Sequence, residues 1–426
     1  MFKNLFRRLP LPSLDESFWV LLDDAEKNGC FRVYGKPLNL RKALNNQFRS
    51  PVLDFLVAHY SYIHCGFDLA ADAINTFDSN IISREGKYWS VSYDPGVVIE
   101  VSGSAYCELR GFIYSAFEDA EEEAIQLLTQ SVLLRMGGTY RASSNREVYS
   151  FRRINEYTLA DLRNNTITVV NPSEMNDPYD SPFYDAQDMK FRKAEEVYRH
   201  YSRGNTQNYK RLQKGLELTK RVNGYYRIRC FVEDNPRNKI QPLNMANMWA
   251  AYANNAQGIC VKYSLSPQFQ NYADENGITY LHEVNYVDSF DIGIGKALTL
   301  GECFFMKNSC WSNENEVRLL TFIPGSEKKF LSIPLDEESH VTDVYFGLNC
   351  YSIKDDMMGR EKTEEEMERD RKKEEEMNQV IDALKSYDVE FHSMEKNEYN
   401  YYVPAQIDHL VRYKGDTDAI EELFKS

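Results

Sequence analysis

The chain has no Cys-x-x-Cys, and its eight cysteines are scattered; the closest pair, Cys303 and Cys310, has six residues between. Zinc modules and disulfide frameworks both need tighter spacing. The seven histidines, at 59, 64, 200, 282, 340, 392 and 409, show no neighbour at metal-ligand spacing, so no metal is expected. Basic residues are short: 50 Lys and Arg against 65 Asp and Glu give a net charge of −15. A general nucleic-acid binder gains affinity by neutralising phosphates, so this balance argues against that role while leaving a local basic groove open. No apolar run approaches the length of a bilayer span, and the opening M-F-K-N-L-F-R-R-L-P carries charges where a secretory signal needs an apolar core. No internal repeat is visible. These absences leave a reduced, cytoplasmic protein with no membrane partner as the expectation.

What is present suits folded cores: 42% hydrophobic and 13% aromatic residues in 426. That length suggests two domains. Residues 1–145 read as a small α+β unit. Ser50-Pro51 opens a helix, K-Y-W-S-V-S-Y and V-V-I-E-V-S read as paired strands, C-E-L-R-G-F-I-Y-S as a third strand, and E-D-A-E-E-E-A-I-Q-L-L as a helix with acids in its first turn. Polar T-Y-R-A-S-S-N-R-E marks the boundary. Residues 148–426 read as a larger mixed α+β domain: strands at V-Y-S-F-R, T-I-T-V-V, Y-Y-R-I-R-C-F-V, I-C-V-K-Y and L-H-E-V-N-Y-V, with helices at T-L-A-D-L-R, over 185–221 and at N-M-A-N-M-W-A-A-Y-A-N-N. The almost purely charged run 359–377 reads as a solvated helical insertion, with Glu365–Arg369 and Glu368–Lys372 at i,i+4.

The order V-Y-S-F-R, P-S-E-M-N-D-P-Y-D, C-F-V, M-W-A-A-Y-A-N-N-A-Q-G-I-C-V-K-Y, V-N-Y and K-N-S-C-W-S-N-E-N-E-V-R-L-L resembles the bacterial domain of unknown function 2971, over residues 148–405. Ser150 departs from the basic residue that members often carry there. The resemblance implies a domain and no activity. A second likeness is to ADP-ribosyltransferases, which place a basic residue or His on an early strand, an aromatic or polar residue on a middle one, and a Glu on a late one. A second acidic or amide residue often stands two positions before that Glu. Arg152 and Glu314-x-Glu316 are similar to that pattern, which implies a split sheet, NAD as substrate and an acceptor that is a protein or a nucleic acid.

The chemistry asks for these residue types. Cleaving the N-glycosidic bond of NAD passes through an oxocarbenium-like transition state, as in glycoside hydrolysis. Glu316 would stabilise that charge, and Glu314, two positions earlier on a strand face, would orient the acceptor or take its proton. Paired carboxylates raise each other's proton affinity, which helps one act as base. Arg152 suits a bidentate grip on pyrophosphate. Asn176 and Asp177, in the turn N-D-P-Y-D, would line the cleft, and Tyr252 would stack on a ring while offering its hydroxyl. Competing readings exist for each: an exposed sheet face pairing Glu314, Glu316 and Arg318, a surface Arg152, a rigid Asx-turn, and a core Trp249–Tyr252 pair. A Mg²⁺-dependent nuclease using Asp177, Asp180, Glu314 and Glu316, or a non-catalytic sensor, are the alternative functions.

Overall fold

The computed structural model describes residues 31–33, 51–63, 66–94, 97–137, 143–175, 205–235, 241–274, 277–287, 302–350, 363–396 and 402–405. The class is α+β. Two compact units divide the chain: Met1–Tyr140, Ser181–Tyr225 and Asp291–Cys303 form one, and Arg141–Asp180, Tyr226–Phe290 and Phe304–Ser426 form the other.

In the first unit β1 (Phe31–Val33), β2 (Ile81–Ser83), β3 (Tyr88–Asp94) and β4 (Val97–Ser102) make an antiparallel sheet in the order β1-β4-β3-β2. Helices α1 (Pro51–Ile63), α2 (Phe67–Asp78), α3 (Gly103–Ser115) and α4 (Glu121–Gly137) complete the labelled elements of this unit. The run expected as a third strand, residues 107–115, is α3. Its buried Tyr106, Leu109, Phe112 and Ile113 recur at helical spacing, and the Ser102 hydroxyl caps it by accepting from the Ala105 N–H at 3.3 Å. Gly111 lets α3 approach α4 closely: a Cβ there would lie 2.8 Å from Leu128 Cγ. The helix Thr206–Asn223, read from sequence as part of the second domain, belongs to this unit. It buries Leu218 and Val222, sets Lys214 3.3 Å from Glu121, and lays Arg211 over the Phe67 ring at 5.5 Å. The expected helical residues 185–204 lie outside the described residues.

The second unit carries β5 (Arg146–Arg152), α5 (Glu156–Asn164), β6 (Thr166–Val170), β7 (Tyr226–Val232), α6 (Ala246–Ala251), β8 (Ile259–Leu265), β9 (Asn271–Asp274) and β10 (Gly277–Glu283). There follow β11 (Asn285–Val287), β12 (Met306–Asn308), β13 (Glu316–Phe322), β14 (Phe330–Pro334), β15 (His340–Phe346), α7 (Glu364–Leu384), β16 (Glu390–Lys396) and β17 (Tyr402–Ala405). Eleven of these strands form one sheet in the order β17-β16-β15-β8-β5-β7-β13-β10-β9, with β6 and β14 branching from β7. Among its described strands only β15 and β16 pair in parallel. Cross-strand partners share a face, so the registers sort the side chains. On one face Val148, Phe231, Val261, Val317 and Leu319 pack with Leu159 and Leu162 of α5 and Val380, Ile381 and Leu384 of α7. On the other, Phe151, Val232, Cys260 and Tyr345 pack with Met248 and Trp249 of α6.

Three expectations change in this unit. L-H-E-V-N-Y-V is not one strand: it breaks at Val284 into β10 and β11, which belong to different sheets. The helix at N-M-A-N-M-W stops at Ala251, because Asn254, Asn255 and Ala256 turn to positive φ. The charged run is solvated and helical through its described part up to Met377, but its helix does not end where the charges do. Thr363 and Glu366 form a capping box, the early turns are mostly exposed, and the helix then continues into a core-docked end from Met377 to Leu384. Its pair among the described residues is Arg371–Glu368 at i,i+3, and residues 359–362 lie outside the described set. No described helix is long and apolar enough to cross a membrane.

Because α7 docks by its last turns, Ile381→Ala should cost about 2–5 kcal/mol in chemical denaturation. Met367→Ala, at an exposed position, should stay within about 0.5 kcal/mol. Equal, small effects at both positions would mean that the helix does not dock.

Candidate functional site

The acidic motif is built by three short elements. β11 and β12 pair in parallel with Tyr286 opposite Lys307, which points the lysine toward the start of β13. Asn308 then caps a 3-10 segment, Ser309–Glu314, its side chain accepting from the Cys310 N–H at 3.0 Å. Asn315 takes a left-handed turn (φ 44°, ψ 52°) before the strand begins at Glu316. Asparagine tolerates that conformation at low cost. Its side chain is held on both sides, donating to the Glu233 carbonyl at 2.8 Å and accepting from Asn235 at 3.1 Å. Glu314 is therefore not a strand neighbour of Glu316, contrary to the alternation read from sequence. The two carboxylates meet because the turn folds one back on the other.

They meet at a lysine. Lys307 Nζ donates to Glu314 Oε2 at 2.5 Å and to Glu316 Oε2 at 2.8 Å. Arg318 grips Glu316 from the far side, Nε to Oε1 at 2.5 Å and Nη2 to Oε2 at 3.1 Å, and its Nη1 donates to the Phe304 carbonyl at 2.8 Å. The Tyr286 hydroxyl accepts from the Glu316 backbone N–H at 2.8 Å. Among the described residues, these two carboxylates balance these two cations. The exposed-face reading fails on burial: Lys307 and Arg318 are 1% exposed, Glu314 3% and Glu316 4%. Trp311, partly exposed, covers the lysine with its ring centroid 5.4 Å from Nζ.

Burial alone would push the Glu316 carboxyl up, but the charge and hydrogen bonds of Arg318, then Lys307, outweigh it and hold it at about 2. For Glu316 this replaces the expected upward shift beside a second carboxylate, because the attraction of Arg318 and Lys307 prevails. Glu316 is therefore an anion at neutral pH and a poor general base. Burial raises the Tyr286 phenol to about 12, so it is neutral at ordinary pH.

The remaining candidates separate. Glu316 pairs with Val232, and Val232 with Tyr149, so Tyr149 shares the face of Glu316. Arg152, three residues on, faces the opposite side. There it is buried and donates to Asp161 at 2.7 Å. Thr168 Oγ1 also donates to Asp161, at 2.5 Å, and Arg229 stands nearby with a bond to Ser150 at 2.6 Å. Burial, then the neighbouring Arg152 charge, push Arg229 down to about 10. The structure thus does not bring Arg152 to the acidic motif, nor is it a surface arginine. Tyr252, at the C-cap of α6, packs against the cluster of Phe151 and Trp249, on the side of the sheet that carries Glu316. Trp249 is core: it meets Phe151 edge-on at 5.0 Å and donates to the Leu243 carbonyl. Asn176, Asp177 and Asp180 lie outside the described residues. Sequence reasoning missed Lys307, Tyr286 and Asp161. The one available signal was Asn315, a turn-former between the two glutamates.

Glu316→Gln removes the shared counter-charge of Lys307 and Arg318 and should cost about 3–5 kcal/mol at neutral pH. The folded carboxyl sits below its ordinary 4.5, so its stabilisation is present above that value and lost as pH falls toward 2. Urea denaturation of wild type and Glu316→Gln should therefore converge as pH drops from neutral to about 3. A stability gap that stays constant over that range would contradict the network.

Comparison with known proteins leaves the site standing on its geometry: no protein-family model, no curated protein and no solved structure matches the chain.

Proposed function

We propose that the larger unit transfers ADP-ribose from NAD, or hydrolyses NAD, at the Glu314–Glu316 site, and that this unit is of the domain of unknown function 2971 type. The observation that carries the reading is the convergence of both carboxylates on Lys307, with Glu316 held as a fixed anion by Arg318. An oxocarbenium-like transition state needs such a charge, oriented before the reaction begins. Although the four charges cancel, Coulomb attraction falls with distance, so a cation forming on the carboxylate side still meets the anion first. Glu316 then acts by charge and by accepting from a ribose hydroxyl. Glu314 is left to orient the acceptor, and Trp311 offers a ring edge or face to a base. Arg152 takes no part, since its guanidinium serves Asp161 on the other face.

A second reading draws support from the same lysine. Two carboxylates with an ammonium between them suit a Mg²⁺-dependent nuclease as well. The ion would have to displace the ammonium from both carboxylates.

Nicotinamide release by the full chain, with EDTA present, separates the readings. Release should persist under chelation, and Glu316→Gln, compared at a temperature where its circular dichroism matches wild type, should lower it by about 10²-fold or more. Glu314→Gln should slow transfer to an acceptor more than hydrolysis. DNA cleavage that requires Mg²⁺, with no nicotinamide released, would overturn the proposal in favour of the nuclease. Absence of both activities would leave the network a structural one.

A further inference from the structure

A second cluster of ligating side chains lies on the same sheet, far from Glu316. β16 is five strand positions from β13, roughly 24 Å along the sheet at about 4.8 Å per strand. In the parallel pair β15–β16, Asp343 stands opposite Glu390 and Tyr345 opposite His392. Glu390 and His392, two apart on one strand, share a face with Asp343 from the next. We infer that Asp343, Glu390 and His392 form a binding site for a first-row divalent cation of the zinc or manganese class.

Four observations carry this inference. The ligand atoms converge: His392 Nε2 is 2.9 Å from Asp343 Oδ1 and 3.9 Å from Glu390 Oε2, and all three atoms lie within 4.8 Å of one another. An ion with bonds of about 2.0–2.2 Å holds neighbouring ligands about 3–4 Å apart, so small rotamer changes suffice. Among the described residues no other group of three such side chains converges in this way. The second observation is a register shift. β15 pairs with β8 as Val341↔Tyr263 and then Asp343↔Lys262, so Thr342 is a bulge residue. Without it, Thr342 would face Lys262 and Asp343 would point to the apolar core. Bulges re-aim side chains at sites of this kind.

The third observation is the support around the ligands. The Tyr345 ring stacks on His392 at 4.6 Å and 15°, which fixes the imidazole plane. Lys262 lies 3.8 Å from the other oxygen of Asp343, Oδ2, leaving Oδ1 to face the histidine. Partners of that sort orient metal ligands. The fourth is charge and access. Lys262 is closer to Glu147, at 3.1 Å, so Glu147, Asp343 and Glu390 against one ammonium leave a local charge of −2. All three ligands are partly exposed. One imidazole nitrogen with two carboxylate oxygens favours zinc or manganese over calcium or magnesium, which take all-oxygen shells.

The site was not legible in histidine spacing, because its nearest sequence partner, Glu390, is a carboxylate and its third ligand comes from another strand. It stands independently of the glycosyl-transfer reading. The test is Co²⁺ and Zn²⁺ titration of the EDTA-stripped full chain by calorimetry and absorption. One equivalent of Co²⁺ should bind with weak visible bands and no thiolate charge-transfer band, which excludes the cysteines as ligands. His392→Phe, which keeps the stack on Tyr345, and Glu390→Gln should each weaken binding about tenfold or more, and Zn²⁺ should raise the melting temperature of wild type but not of His392→Phe. His282→Phe, an exposed histidine elsewhere, should bind as wild type does. No bound equivalent in wild type, a thiolate band, or binding unchanged in both ligand variants would overturn the site and leave a plain Asp343–His392 hydrogen bond.

Discussion

The larger unit depends on one buried charge balance. β13 is buried along its whole length, between β7 and β10. A strand in that position normally carries apolar side chains on both faces, yet Glu316 and Arg318 sit on it. Each would cost several kcal/mol if left unpaired in a low-dielectric interior. They are tolerated because Lys307 and Glu314 arrive from neighbouring segments as counter-charges. That requirement reaches outward: the parallel pair β11–β12 delivers Lys307, the left-handed Asn315 turns Glu314 inward, and the Tyr286 hydroxyl takes the first strand N–H. If any of these moved, a charge would be stranded. Breaking a buried pair costs far more than the pair contributes over an apolar replacement, so such a network specifies geometry more than it adds stability.

The second constraint is the sheet itself, which divides side chains between two sides. Arg152 and Glu316 are both near the middle of the sheet, yet strand alternation puts them on opposite faces. Each then finds its own partner: Asp161 for the arginine, Lys307 and Arg318 for the glutamate. The polar residues on the Glu316 side form a row through Tyr149, Lys262 and Asp343, ending at Glu390 and His392. The opposite side is dominated by Val, Leu, Ile and Phe under α5 and α7. Both sides bury an apolar cluster, and the pleat decides which ionisable side chains can meet.

Much of this was legible before any coordinates. The strands at V-Y-S-F-R, T-I-T-V-V and Y-R-I-R-C-F-V are continuous β-branched and aromatic runs, and each is a strand here. The α+β class follows from them and from the amphipathic helices between. Where the reading failed, a local pattern was ambiguous or a long-range contact decided. C-E-L-R-G-F-I-Y-S is rich in strand-formers, but a serine cap and a glycine contact with α4 make it a helix. The run 359–377 is solvated through its described part up to Met377, but the helix it opens continues past its end and docks by Met377 to Leu384. The helix Thr206–Asn223 follows strands of the second unit in the chain but packs in the first.

The sequence by itself determined the class, most strand positions, and the presence of two glutamates and an arginine at alternate positions near residue 316. Charge type and spacing are local properties, and they survive in a one-dimensional reading. Only the tertiary structure decided what those charges face. Lys307 and the Glu314 turn make the motif a buried ion network, a bulge at Thr342 brings Asp343 to His392, and the pleat keeps Arg152 away. The physical reason is the same in each case. A buried charge is defined by its partners, and partners in a sheet come from strands far apart in the chain.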